Sequence, residues 1–283
     1  MNAGIDNIHL LVVHLGRARF MADWNYKNIS SPFTRIYYVE KGHAQIQFQD
    51  RIQDLRPGYL YIIPAFTLHS CICHEEFCHH YIHIYNESGH DVLEDWDLPT
   101  EIPADDSTLA NINRLHELCP GMELIQTDPK FYDNSMTLNR RIQDNKQREL
   151  YARIESRGII YLLIAAFLRR GRPKQYVRDQ RITRVLDYIR THAGEKTDVA
   201  ILASICCLSE DHLIRIFKGE IGMTPLQYIN KKKIENAQLQ IVSEAAPIKE
   251  IAYRSGFEDQ TYFNRLFKKH TGMTPVEYRK TQY

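Results

Sequence analysis

The 283-residue chain has no apolar run long enough to cross a bilayer. Its longest, Ile159–Leu168, is about half of the ~20 residues that a helical span needs. The first residues, MNAGIDNIHL, lack a basic segment leading into an apolar stretch and small residues. No secretory signal is expected, and the sequence reads as cytoplasmic, with no membrane partner. Cysteine is sparse. Cys71, Cys73, Cys78, Cys119, Cys206 and Cys207 do not have the spacing of a secreted disulfide framework, so free thiols are expected. There is no large excess of either charge sign, since 36 Lys and Arg face 35 Asp and Glu. Charge alone is therefore weak evidence for nucleic acid, although the balance tilts basic after Arg181 and acidic before it.

What is present fits a soluble protein of about two domains. Hydrophobic residues make up 43% and charged residues 25%, enough to build a core without disulfides or metals. From about residue 9 to 85 the pattern is that of strands. Arg35–Glu40, Ala44–Phe48, Tyr59–Ile63, His69–Cys73 and His80–Tyr85 are short and rich in β-branched and aromatic residues. Lys41-Gly42, Pro57-Gly58 and Pro64 punctuate them, as in an antiparallel sandwich or small barrel. After Ser107 the pattern turns helical. Leu109, Ile112, Leu115 and Leu118 lie at helical spacing and Cys119-Pro120-Gly121 ends that helix. Asn134–Arg170 is helical and strongly apolar towards its end (Ile159, Ile160, Leu162, Leu163, Phe167). Such a stripe packs on the β domain, on a second subunit, or on both. Arg169–Arg178 carries Gly171, Pro173 and five basic residues and reads as a linker.

The C-terminal third contains a repeat. Ser209–Tyr228 (SEDHLIRIFKGEIGMTPLQY) aligns with Asp259–Tyr278 (DQTYFNRLFKKHTGMTPVEY) at an offset of 50 residues. Each unit predicts helix, tight turn, helix, stop and new start. Ser209 and Asp259 suit N-caps. Gly222 and Gly272 suit the left-handed residue after a helix. Thr224-Pro225 and Thr274-Pro275 read as a cap followed by proline at the first helical position. Gly256 fits the turn of the second unit, but the first has Cys207 there and must turn without glycine. Leu213, Ile216 and Phe217, and Phe263, Leu266 and Phe267, form apolar stripes. The opposite faces carry Arg215 and Lys218 in one helix, and Gln260, Thr261, Asn264, Arg265 and Lys268 in the other. Gln, Asn and Arg can read base edges, whereas Lys and Thr more often hold phosphate.

Residues 181–283 closely resemble the DNA-binding domain of the AraC/XylS family of bacterial regulators, with Ile248–Arg279 matching its motif almost throughout. The resemblance implies two helix-turn-helix modules joined by a long helix, about Pro225–Val242. Their recognition helices would enter successive major grooves about one turn, or ~34 Å, apart. Carried over, the base-reading positions are Asp211, Ile214 and Arg215, then Gln260, Thr261, Tyr262 and Arg265. Two acids at the first helix start, Glu210 and Asp211, repel phosphate, and Ile214 stands where a polar reader is usual. The second module is therefore expected to carry at least as much specificity as the first.

Residues of about 9–85 resemble, more loosely, the cupin-like effector domain of the same family. Tyr38-Val39-Glu40-Lys41-Gly42, Leu55-Arg56-Pro57-Gly58, Ile63-Pro64 with His69, and Tyr81-Ile82-His83-Ile84 carry that likeness. It implies an α+β protein: a cupin-like β-barrel with a ligand pocket and helical dimerisation segment (1–170), a linker (171–180), and an all-α domain with two helix-turn-helix motifs (181–283). His79, Tyr81 and His83 share one strand face. Cys71, His79 and Tyr81 match positions that contact a sugar in a member of the family, and Trp24, Tyr37 and Phe66 are further candidates. An aromatic platform with imidazole suits a carbohydrate. The expected protein is a homodimeric regulator of promoter DNA, switched by a small effector and acting on the transcription machinery as an activator does. No cofactor, metal or catalytic residue is called for. The alternatives are a metal-dependent cupin enzyme fused to a DNA-binding domain, and a regulator whose barrel is filled by its own side chains.

Overall fold

A computed structural model describes residues 9–87, 93, 96–133, 135–173, 179–192, 195, 197–243 and 246–280. The chain divides into two compact units between Arg172 and Pro173. Residues 174–178, within the expected linker, lie outside the described residues.

Among the described residues the first unit opens with ten strands: β1 (Leu10–Met21), β2 (Tyr26–Ile29), β3 (Thr34–Gly42), β4 (Ala44–Gln47), β5 (Ile52–Leu55), β6 (Tyr59–Ile63), β7 (His69–Ile72), β8 (Glu76–Asn86), β9 (Trp96–Asp97) and β10 (Glu101–Pro103). Four helices follow: α1 (Asp106–Leu118), α2 (Pro129–Tyr132), α3 (Ser135–Gln147) and α4 (Leu150–Leu168). One sheet runs β1-β8-β3-β6-β10 and another β2-β7-β4-β5. The pleat sends alternate residues to opposite faces. Ile36, Ile82 and Ile84 face α1 and α4, where they meet Ile112, Leu115, Ile160 and Phe167 in one core. Tyr37, Val39, Phe77 and Tyr81 belong to a second core shared with Ile46, Leu55 and Cys71. The larger sheet is thus covered on both faces.

That double cover explains where strand reading falls short. β1 begins LLVVHL and β8 contains FCHHYIHI, and nearly every residue of both is buried. These stretches lack the alternation that marks a half-exposed strand, which β1 shows only from Arg17 to Met21, where Arg17, Arg19 and Met21 are exposed. β8 therefore starts four residues before the expected His80. β2 and β5 have four residues each, half of them polar, so composition hides them as well. The helical stretch after residue 134 splits into α3 and α4. Leu109 is exposed and Thr108 takes the inward place on α1.

The second unit is helical: α5 (Gln180–Thr191), α6 (Val199–Ile205), α7 (Glu210–Ile221), α8 (Pro225–Ser243), α9 (Ile248–Arg254), α10 (Gln260–Thr271) and α11 (Pro275–Lys280). α6 and α7 form one module, α9 and α10 the other, with α8 between them. No described helix is long and apolar enough to cross a membrane.

Candidate nucleic-acid interface and ligand cavity

The two modules are built by the same local chemistry. Ser209 accepts from the backbone N–H of His212, and Asp259 from that of Tyr262, at the starts of α7 and α10. Gly222 and Gly272 close these helices at φ +79°. Thr224 and Gln227 cap each other at the start of α8, as Thr274 and Glu277 do at α11.

The turns agree as well. Leu208 donates to the Ala203 carbonyl at 2.9 Å and Phe257 to that of Ala252 at 3.0 Å. Cys207 adopts φ +56° where Gly256 has +80°. The first turn keeps the geometry and carries a conformation that disfavours side chains. Cys207 is exposed, so its side chain has room there. A Cβ at Gly256 would lie 2.9 Å from both the Glu195 carbonyl and Lys233 Nζ, so the second turn has no room for a side chain.

These caps fix which faces α7 and α10 present. Leu213, Phe217, Phe263 and Phe267 are fully buried, while Ile216 and Leu266 are half-buried. Asp211, Arg215, Lys218, Gln260, Thr261, Tyr262, Arg265 and Lys268 are exposed, and Ile214 and Asn264 are half-buried. The Asn264 Oδ1 is buried without a partner. The Arg265 guanidinium lies over the Tyr262 ring, 5.5 Å from its centroid. Asn230 of α8 donates to the Tyr262 hydroxyl at 2.9 Å. Lys233, also on α8, is buried and donates to the Gly256 carbonyl at 2.7 Å; burial lowers its pKa. Asn230 and Lys233 thus fasten the second module to the connecting helix. No repeat marks these two residues in the sequence, because the 50-residue repeat does not include most of α8.

In the first unit, Trp24, Tyr37, His79, Tyr81 and His83 all line one interior cavity, together with Ala18, Phe20, Leu124, Thr127 and Tyr132. Cys71 is buried in the same core but does not line the cavity. Phe66 is half-buried in a turn at φ +58° and also lies outside it. Gly16 pairs with Tyr81 across β1 and β8, and a Cβ there would fall 2.1 Å from the Tyr81 hydroxyl. Glycine leaves the space that the phenol fills. The free volume is about 20 Å³, near that of one water.

The interior is polar as well as aromatic. His14, Arg35, His69, His79 and His83 are all buried. Burial drives His69 and His79 down to about 3 and His14 and His83 well below their ordinary value, so these imidazoles are neutral at pH 7. His14 Nδ1 and His83 Nδ1 share a hydrogen bond of 3.2 Å. Beside them Arg35 donates to Ser31 at 2.7 Å, and Ser31 donates to Asp133. Arg35 falls on the Tyr37 face by simple alternation, a signal the strand pattern does contain. Tyr132 and Asp133 come from a segment far along the chain, and no local pattern announces them. Among the described residues, no group of three His, Cys, Asp or Glu could hold a metal ion.

Two family models match this chain. An AraC-like ligand binding domain covers residues 7–130, and a helix-turn-helix domain covers 202–281. The chain belongs to the AraC family of transcriptional regulators. This is a family of regulators rather than enzymes. The arabinose operon regulatory protein of Escherichia coli (strain K12) is 34% identical over 102 residues, covering 36% of this chain and 35% of that protein. The probable transcriptional regulator LumQ of Photobacterium leiognathi is 32% identical over 102 residues, 35% of this chain and 41% of that one. The chain therefore spans well under half the length of these curated relatives. ToxT from Vibrio cholerae matches over 95% of this chain and 98% of its own, with a TM-score of 0.53 and 13% identity, a likeness of fold alone.

Proposed function

We propose that this AraC-family protein is a sequence-specific, DNA-binding transcription regulator whose N-terminal unit binds a small-molecule effector. The repeat carries the reading. Two helices start and end with the same chemistry, bury the same stripe and expose polar faces suited to a major groove. Asp211, Ile214 and Arg215 would read bases in the first groove, and Gln260, Thr261 and Arg265 in the second. Lys218 and Lys268 would hold phosphate. Tyr262, fastened by Asn230, would act mainly as the platform that aims Arg265.

The test compares two neighbours on α10. Arg265→Ala is expected to lower affinity and relax preference at one base pair by about 1–3 kcal/mol. Lys268→Ala should weaken every sequence alike and flatten the salt dependence. Equal behaviour of the two variants across a panel of site mutants would contradict these roles.

The cavity supports the effector role. Aromatic walls and directed polar groups suit a sugar or another small polar molecule. With room for about one water, its walls must part to admit one. This links occupancy to a change of shape, which is what a switch requires.

A homodimer is supported by α4. Its inner face is buried, yet Leu150, Ile154 and Leu162 are exposed at four- and eight-residue spacing, with Gly158 exposed between them. This stripe runs along one side of the helix. Leu162→Glu is expected to shift a dimer to monomer in analytical ultracentrifugation. An unchanged sedimentation coefficient at equal protein concentration would place the contact elsewhere. DNA-bound dimers would then act on the transcription machinery.

A further inference from the structure

Arg35 is the largest of the fully buried side chains among the described residues. A guanidinium cannot shed its charge, so enclosing it demands an anion. The anion present is Asp133, and the fit between them is poor. Arg35 Nη2 lies 3.8 Å from Asp133 Oδ2, too far for a hydrogen bond, and Ser31 bridges the gap. Arg35 Nε and Asp133 Oδ1 are both buried without partners. A carboxylate seated fork to fork on the guanidinium would satisfy two N–H groups at once. Burial pushes the Asp133 carboxyl up to about 6, another sign that its charge is badly housed.

Asp133 does not belong to the strands. It ends a segment that covers the cavity. Leu124 donates its backbone N–H to the Tyr81 hydroxyl, Thr127 meets the Tyr26 hydroxyl, and the Tyr132 ring packs against His14 and His83. Arg35 itself does not line the cavity, but Tyr37 and Tyr132 do, and the Arg35 charge acts on both of their hydroxyls. They connect the charge to the space where a ligand would enter.

We propose that Arg35 anchors the carboxylate of an acidic effector, and that Asp133 is the internal carboxylate that holds its place. This rests on the barrel being the effector site, and it narrows the effector to a small carboxylic acid, sugar acids included. Its arrival expels Asp133 from Ser31 and Arg35. Tyr132 is adjacent in the chain and moves with it, opening the cavity to the rest of the molecule. The covering segment is then the part of the unit whose position reports occupancy.

The experiment uses the full chain with formate, acetate and benzoate as probes. Acetamide and sodium chloride at matched ionic strength are the controls, and glucose and galactose are the neutral ligands. Asp133→Asn keeps the volume and removes the competing charge. Carboxylates are expected to raise its melting temperature at concentrations at least about tenfold lower than the wild type needs. Adding Arg35→Gln should abolish the effect. Asp133→Ala leaves an empty seat, and carboxylates should restore its stability, or its folding if it does not fold unaided. The proposal is overturned if acetamide or chloride does as much, or if no carboxylate stabilises Asp133→Asn. If glucose or galactose alters wild-type tryptophan fluorescence while carboxylates do nothing to the variants, the barrel remains the effector site and Arg35–Asp133 is a structural pair. Silence from every probe, in wild type and variants, counts against both readings.

Discussion

Between pH 7 and pH 5 the N-terminal unit is expected to lose about 3 kcal/mol or more of stability. The cause is its buried imidazoles. His14, His69, His79 and His83 all have folded pKa values depressed by burial, two of them to about 3. A depressed folded pKa means that the unfolded chain takes up protons first. Stability is intact above about 6.5 and falls as the pH drops towards the folded values. At pH 5 the loss is about 2 kcal/mol for each of His69 and His79. Asp133 works in the opposite direction. Its folded pKa, raised to about 6, means that the folded state gains its proton first on acidification. That offsets about 1 kcal/mol over the same range, and His14 and His83 add to the loss. In the C-terminal unit, His270 is the one described histidine with a resolved shift, a lowering by burial, so the response there is smaller. Both tryptophans, Trp24 and Trp96, lie in the first unit, so fluorescence follows it alone in the intact chain. Urea titrations should show the fluorescence midpoint dropping at pH 5 while the helical circular dichroism of the second unit shifts less. A fluorescence midpoint independent of pH would mean that these imidazoles are not enclosed as described.

Phe267→Ala is expected to cost about 3–5 kcal/mol, enough to threaten the folding of the C-terminal unit. Phe267 is fully buried, with ring centroids 5.5 Å from Phe263 and 5.3 Å from Tyr278. It ties α10 to α11 from inside the helix that exposes Arg265 and Lys268. A cavity there loosens the recognition helix without touching any group that faces DNA. Lys268→Ala, one residue away and exposed, should change stability by no more than about 0.5 kcal/mol. Thermal melting by circular dichroism separates the two. Near-equal melting temperatures would show that α10 is not anchored through this ring.

The second unit was largely legible in the sequence because its information is local. Caps, left-handed glycines and Thr-Pro starts act within four residues, and the repeat presents each twice. Cys207 stands where a turn must manage without glycine, and it takes the left-handed conformation. The first unit was legible where marked turns bracket a run of β-branched and aromatic residues, as in Tyr59–Ile63 between Pro57-Gly58 and Pro64. It was least so in β8 and the first half of β1, which are buried on both faces, and in what fills the barrel. His79, Tyr81 and His83 share a strand face and meet at one cavity, where Trp24 and Tyr37 join them. Cys71 and Phe66 do not line it, since sharing a core or a loop does not ensure access. Tyr132 and Asp133 reach the interior from beyond the strands, by a tertiary contact with no periodicity to betray it.

The most direct test of the account is selection of a binding site for the full chain from random duplex DNA, followed by major-groove interference mapping. Each bound chain is predicted to leave two contact patches on one face of the duplex, about one helical turn or 10–10.5 base pairs apart. Arg215→Ala should erase one and Arg265→Ala the other. Failure to enrich any sequence at physiological salt, or a single patch unaffected by either substitution, would contradict the claim that the repeat is a pair of DNA readers.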